Sequence, residues 1–216
     1  MGGEIGLSRV HYPIHALGPG RRIGIWFQGC SIRCAGCMSL DTWAPARQST
    51  TVPALMARIR PWLIEADGAT ISGGEPFDQP EALRDFLERL NHEGCGSILV
   101  YSGHPLDSLR AEHGDILALI DVLVSEPFDA RHDVPVLLRG SSNQIVTCLT
   151  PRGRDLWRAA EEAEGHTASI DVIVENDGKL WLAGIPKPGD MARLSVGLAR
   201  SGVSVGTSAG RLGGKS

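Results

Sequence analysis

The sequence lacks most of the features that would fix a compartment or a partner at a glance. No run of apolar residues approaches the ~18 to 20 needed to cross a bilayer. The amino terminus, Met1-Gly2-Gly3-Glu4-Ile5-Gly6, lacks the basic-then-apolar order of a secretory leader, and Gly6 stands where a myristoylation signal needs Ser or Thr. Basic residues are not in surplus: 21 Lys and Arg against 25 Asp and Glu give a net charge of −4 and a pI near 6.0, which leaves no electrostatic footprint for nucleic acid. Cysteine is scarce, five in 216 residues, and an odd count with three crowded together makes a poor disulfide framework. In a reducing compartment such crowding reads better as metal ligation. The expectation is a soluble cytoplasmic protein with no membrane or nucleic-acid partner.

What is present is a chain that can fold. Hydrophobic residues make up 42% of it, enough to fill a core. Val10, Tyr12 and Ile14 alternate within a Gly/Pro/His-rich start, giving an N-terminal strand or hairpin over 1–21. Arg22–Gly29 reads as a buried strand running straight into the cysteine cluster. Leu55, Ile59 and Leu63 have helical spacing behind Pro53, a residue suited to a first turn. Strand and helix signals then alternate: strands at 69–72, 97–101 and 121–125, and an amphipathic helix over 79–92 with Leu83, Phe86, Leu87 and Leu90 on one face. A further helix over 106–120 is interrupted at Gly114. A strand at 144–149, a helix at 154–164, two strands joined by Asn-Asp-Gly at 170–174 and 179–183, and a helix at 191–201 complete the chain before a Gly/Ser-rich tail over 206–216, expected to be disordered.

Such βα alternation predicts an α/β fold with a parallel sheet, whose ligands gather at the C-terminal ends of the strands. Cys30, Cys34 and Cys37, the run Gly73-Gly74-Glu75-Pro76, Tyr101-Ser102-Gly103 and the segment from Ser125 each follow a strand. Their common position predicts one site.

The cysteines are spaced C-x3-C-x2-C. Four-iron clusters ordinarily take four thiolates, so three closely spaced ones leave an iron open to an external ligand. A zinc site would want a fourth Cys or His, and an electron-transfer cluster would recruit Cys95 or Cys148. Both of those cysteines also read as inert core residues.

Cys30, Cys34 and Cys37, with Gly73-Gly74-Glu75-Pro76 downstream, resemble the radical S-adenosylmethionine superfamily. Within it, Trp26-Phe27-Gln28-Gly29-Cys30, Thr42-Trp43, Tyr101-Ser102-Gly103, the strand 121–124 and Arg139-Gly140-Ser141-Ser142-Asn143-Gln144 are similar to the activating enzymes of glycyl radical enzymes. The resemblance implies a single-domain partial (β/α)6 barrel over 22–205 and a [4Fe–4S] cluster on the three cysteines. It implies S-adenosylmethionine as the ligand of the open iron, cleaved to a 5′-deoxyadenosyl radical. Gly73 and Gly74 are then expected close to the methionine end, with Glu75, counted with them at the cofactor site, accepting a hydrogen bond or fixing the loop. Ser102 and Ser125 are expected at the carboxylate or ribose unless they merely cap helices, and Asn143 and Gln144 either line the site or satisfy loop backbone. Arg33 reads first as a solvated side chain, and Gly184-Ile185-Pro186 as an adenine-side segment or a simple turn.

The chain departs from the family at Ser39, where Asn is usual, at Gly36, where many members carry an aromatic, and at Ser125-Glu126-Pro127-Phe128, where Asp-Gly-x-Phe is usual. Three functions stay open on these grounds. One is an activase that takes a glycine hydrogen from a partner glycyl radical enzyme, fed by a flavodoxin- or ferredoxin-type donor. Another is a catalyst on a small molecule or ribosomal peptide. The last is a non-catalytic protein with a structural cluster or zinc.

Overall fold

The computed structural model describes residues 3–132, 137–162, 170–174, 180–186, 189–200 and 202. Its strands are β1 (Glu4–Ile5), β2 (Leu7–Ile14), β3 (Arg22–Phe27), β4 (Thr50–Thr51), β5 (Gly68–Gly73), β6 (Ser97–Tyr101), β7 (Val122–Ser125), β8 (Ile145–Cys148), β9 (Ile170–Val174) and β10 (Leu180–Gly184). The helices are α1 (Val52–Leu63), α2 (Pro80–His92), α3 (Leu106–Glu112), α4 (Gly114–Leu117), α5 (Pro151–Glu162) and α6 (Asp190–Arg200). The Asn-Asp-Gly turn and the 206–216 tail lie outside the described residues. No described helix is long and apolar enough to cross a membrane.

The main sheet runs β2-β3-β5-β6-β7-β8. Its strands alternate faces with period two. Ile23, Ile25, Phe27, Ala69, Ile71, Ile98, Val100 and Leu123 join one cluster with the buried stripes of α1 and α2. On α2 that stripe is Leu83, Phe86, Leu87 and Leu90, each worth about 1.5–3 kcal/mol once buried. Thr51 starts α1 by accepting from Ala54 N at 3.3 Å. The opposite sheet face is covered twice. Leu99, Val122 and Val124 pack on α5 through Leu156, Trp157 and Ala160. Trp26 and Tyr101 pack with Ile14 and Leu17 against Ile173, Ala183 and Ile185 of the β9–β10 region.

The expectation of a fully parallel sheet needs correcting at both edges. Only β3, β5, β6 and β7 run parallel; β2 and β8 are antiparallel. A parallel return needs a crossover of a dozen or more residues, usually a helix. The β2–β3 connection is too short for one. The β7–β8 connection folds back over the cysteine loop, and among its described residues the one helical element is a short turn at Ala130–His132. The result is a mixed α/β sheet with four parallel strands at its centre, β2 at one edge and β8 at the other.

Candidate metal centre

The C-terminal ends of β3, β5, β6 and β7 are laced to one another in turn. At the first junction Gly74 N donates to Phe27 O at 2.9 Å, and Glu75 N donates to Gly29 O at 2.8 Å. A Cβ on Gly74 would sit 1.9 Å from Gly29 O, and one on Gly73, where φ is +104°, 2.5 Å from the Phe27 backbone. Both glycines are therefore required by the approach of the Gly-Gly-Glu-Pro turn to the strand that delivers Cys30. At the second junction Glu75 accepts from Ser102 Oγ at 2.9 Å and from Gly103 N at 2.8 Å. At the third, Ser102 N donates to Val124 O and Glu126 N to His104 O.

The cysteine loop is closed at its base. Gly29 N donates to Thr42 O at 2.8 Å and Cys30 N to Trp43 O at 3.3 Å, so Thr42 and Trp43, quoted for resemblance alone, have a structural task. Asp78 holds the loop's first turn, accepting from both Ser31 N and Ser31 Oγ at 2.7 Å. A cleft of about 480 Å³ opens beside Cys30, with Gln28, Arg33, Trp43 and Asp78 among its walls. All three loop cysteines are free and half-buried. Burial pushes the Cys30 and Cys34 thiols above their ordinary range. Backbone hydrogen bonds from Arg33 and Ile32 at Cys30, and from Phe128 at Cys34, pull the other way, while Ser39 N donates to Cys37 Sγ at 3.3 Å.

Amide groups aimed at sulfur favour the thiolate and tune cluster potentials, so these residues fit an iron–sulfur group. Among the described residues no three Cys, His, Asp or Glu side chains converge as the ligands of one ion would. A multi-iron cluster, which gives each thiolate its own iron, tolerates the wider spacing. Cys95 is buried and Cys148 lies on β8.

The remaining predicted residues divide. Glu75 is buried, with a carboxyl raised by desolvation against the pull of Gly103, Phe77, His104 and Ser102. It fixes the loops by accepting from Ser102 Oγ and Gly103 N. Ser102 is buried and bonded to it, and accepts from His104 N at 3.1 Å. Ser125 is buried with its hydroxyl unpartnered. Asn143 donates to Pro127 O at 2.9 Å, and its Oδ1 is buried without a partner. Gln144 ties Gly140 N and Glu126 O together. Asn143 and Gln144 thus satisfy loop backbone, fastening the segment over the cysteine loop, with one acceptor of Asn143 left open. Arg33 is exposed, reaching no further than Cys30 O at 3.4 Å. Gly36 has φ +80°, and the aromatic beside it comes from another loop: a Cβ there would lie 3.5 Å from the Phe128 ring. Asp78 carries no signal in the sequence beyond that of an ordinary helix-start acid, and Phe128, named only within the segment from Ser125, contributes through its backbone.

Comparison with known proteins agrees with this geometry. The model of the 4Fe-4S single cluster domain matches residues 16–147. The anaerobic ribonucleoside-triphosphate reductase-activating protein of Salmonella typhimurium is 34% identical over 149 residues, covering 63% of this chain and 94% of that one. Its Escherichia coli K12 counterpart is 34% identical over 146 residues, with the same coverage. The pyruvate formate-lyase-activating enzyme of Clostridium pasteurianum is 34% identical over 112 residues, 49% of this chain and 47% of that one. A solved structure of QueE from Escherichia coli aligns with TM-score 0.40 and 20% identity over 46% of this chain and 53% of that one, too partial a likeness to bear on the fold. The extent of these matches places the chain in the 4Fe-4S single cluster domain family, among the radical S-adenosylmethionine activating enzymes.

Proposed function

We propose that this chain is an activase: it holds a [4Fe–4S] cluster on Cys30, Cys34 and Cys37, binds S-adenosylmethionine at the open iron, and takes a hydrogen atom from a glycine of a partner glycyl radical enzyme. The observation that carries this reading is the Gly29–Gly74 junction, which joins the cysteine loop and the Gly-Gly-Glu-Pro turn through two backbone hydrogen bonds into one site. Reduced by a flavodoxin- or ferredoxin-type donor, such a cluster supplies the electron that opens the sulfonium C–S bond to a 5′-deoxyadenosyl radical.

The chain's own residues do the positioning. Gly73 and Gly74 present bare backbone at the rim, Glu75 and Ser102 keep that backbone in place, and Ser125 Oγ and Asn143 Oδ1 offer buried hydrogen-bonding atoms to the nucleoside. The Phe128 loop, fastened by Asn143 and Gln144, shields the cysteines from water. The curated relatives are activating proteins matched over nearly their full length, which favours the activase over a tailoring enzyme for small molecules or peptides.

The test is anaerobic reconstitution with iron and sulfide, reduction, and addition of S-adenosylmethionine with an anaerobic ribonucleotide reductase as partner. The expected result is 5′-deoxyadenosine together with a glycyl radical signal on the partner in electron paramagnetic resonance (EPR). A well-assembled, reduced cluster that releases no 5′-deoxyadenosine even with partners present would refute it. Alanine at Cys30, Cys34 or Cys37 should abolish cluster assembly, whereas replacing Cys95 and Cys148 together should leave the iron content unchanged. Loss of iron in that double variant would reveal a fourth protein ligand.

A further inference from the structure

The β9–β10 hairpin lies beyond the stretch matched by the family model, which ends at residue 147, yet it is wired to the cysteine loop. The link is Arg9 on β2. Its guanidinium carbon lies 4.8 Å from the centre of the Trp181 ring on β10 and 5.3 Å from that of Trp26 on β3, both within cation–π reach. Nη1 donates to Ser8 Oγ at 3.0 Å and pairs with the Asp41 carboxylate. The Arg9 side chain is only 9% exposed, so the pair is poorly screened and its geometry constrains both partners. Asp41 belongs to the Leu40–Thr42 turn. The Asp41 carbonyl also accepts from Gln28 Nε2 at 3.1 Å, and the next two residues, Thr42 and Trp43, accept from Gly29 N and Cys30 N. A continuous path therefore runs from Trp181 through Arg9 and Asp41 to the base of the cysteine loop.

We propose that Arg9 is a positioning residue, clamped by Trp181 of the C-terminal hairpin and acting through Asp41 to set the geometry of the loop that carries Cys30, Cys34 and Cys37. The functional sense of this rests on reading those cysteines as cluster ligands. Whatever seats on or displaces the hairpin is then felt at the cluster, through an element that the family model does not cover.

The test combines amide hydrogen exchange on the apo chain with EPR of the reconstituted, reduced protein. Trp181→Leu and Asp41→Asn should each speed exchange at Gly29 and Cys30, on the order of tenfold, and alter the EPR signature while iron content holds. Because both act on one path, the double variant should be no worse than the more severe single. Trp181→Phe keeps a ring face for the guanidinium and should restore both readouts. Val174→Ser, at a hairpin position that is 68% exposed, should change neither.

Additive effects in the double variant, unchanged exchange at Gly29 and Cys30 in Trp181→Leu, or a Val174→Ser variant as disruptive as Trp181→Leu would overturn the proposal. If the wild-type chain assembles no cluster, the reading of the cysteines fails instead, and the exchange measurement alone still decides the coupling.

Discussion

Glu126 carries a φ of +81°, a conformation that side chains adopt at a cost of about 1–2 kcal/mol. The activase resemblance implies glycine at this position, the one residue that takes such a φ without strain. The side chain compensates: Glu126 Oε1 accepts from Leu106 N at 3.1 Å, at the start of α3, where no other side chain caps the helix. Strain and cap should nearly cancel. Glu126→Gly is therefore expected to leave the urea midpoint almost unchanged, while Glu126→Ala, which keeps the strain and loses the bond, should cost about 1 kcal/mol. Equal effects in the two variants would dissociate the strain from the side chain.

Glu75 gives a pH prediction. Burial lifts its carboxyl above the ordinary 4.5. A carboxyl with a folded-state pKa above its unfolded value stabilises the fold most below the unfolded value, and that contribution is lost as pH rises through the folded one. The wild-type apo chain should lose stability from this source as pH climbs above 4.5. Glu75→Gln should flatten that part of the curve, at a constant cost of about 1–2 kcal/mol for setting an amide against Gly103 N–H. Urea unfolding across the acid-to-neutral range checks both, and equal slopes would remove Glu75 as the cause. The sequence marks Gly73, Gly74 and Glu75, and separately Gly29, Ser102 and Gly103, but that these residues bond to one another has no local signature, because they lie far apart along the chain.

At the level of elements, the two ends of the sheet are built differently. The end opposite the cysteines is closed by Arg22, fully buried on β3, which donates to Thr70 Oγ1 at 2.6 Å, Ser97 Oγ at 2.9 Å and Ser97 O at 2.9 Å, as well as to Ala69 O. Burial lowers its pKa to about 10, and among the described residues its charge is solvated by these neutral acceptors, with no carboxylate in ion-pair contact. A lysine presents a compact point charge and cannot span these acceptors. Arg22→Lys is expected to cost about 2–4 kcal/mol, read as a lowered denaturation midpoint; a change under about 0.5 kcal/mol would mean that water replaces the guanidinium freely.

The helices were legible because their apolar stripes carry the period: α2 buries the four residues its spacing selects. The central strands were legible as short apolar runs between glycines. The edges were not, because direction is set by how a connection crosses the sheet, and neither the β2–β3 link nor the 126–144 segment declares its path in local composition. The partners of Arg22 were equally hidden: the sequence reads Arg22–Gly29 as a buried strand, but nothing local says that Thr70 and Ser97 of β5 and β6 receive its guanidinium.

At the scale of the molecule, the core and the closed end of the sheet share no side chain with the cysteine cluster among the described residues. The main core is aliphatic and aromatic, and the Arg22 network is satisfied by protein groups alone. Removing iron with a chelator should therefore leave near-ultraviolet circular dichroism and cooperative unfolding largely intact, with increased exchange confined to the 29–43 loop and the Phe128 segment that lies over it. Collapse of the whole signal on chelation would show instead that the metal is needed to fold the chain, as in small zinc modules.

That separation bears on what happens when such a protein meets air. Oxygen would strip the cluster from a loop whose base is held by Thr42, Trp43 and Asp78, not by iron. The damaged molecule would be an intact mould awaiting a new casting, so recovery after exposure would call for metal delivery rather than fresh synthesis of the chain.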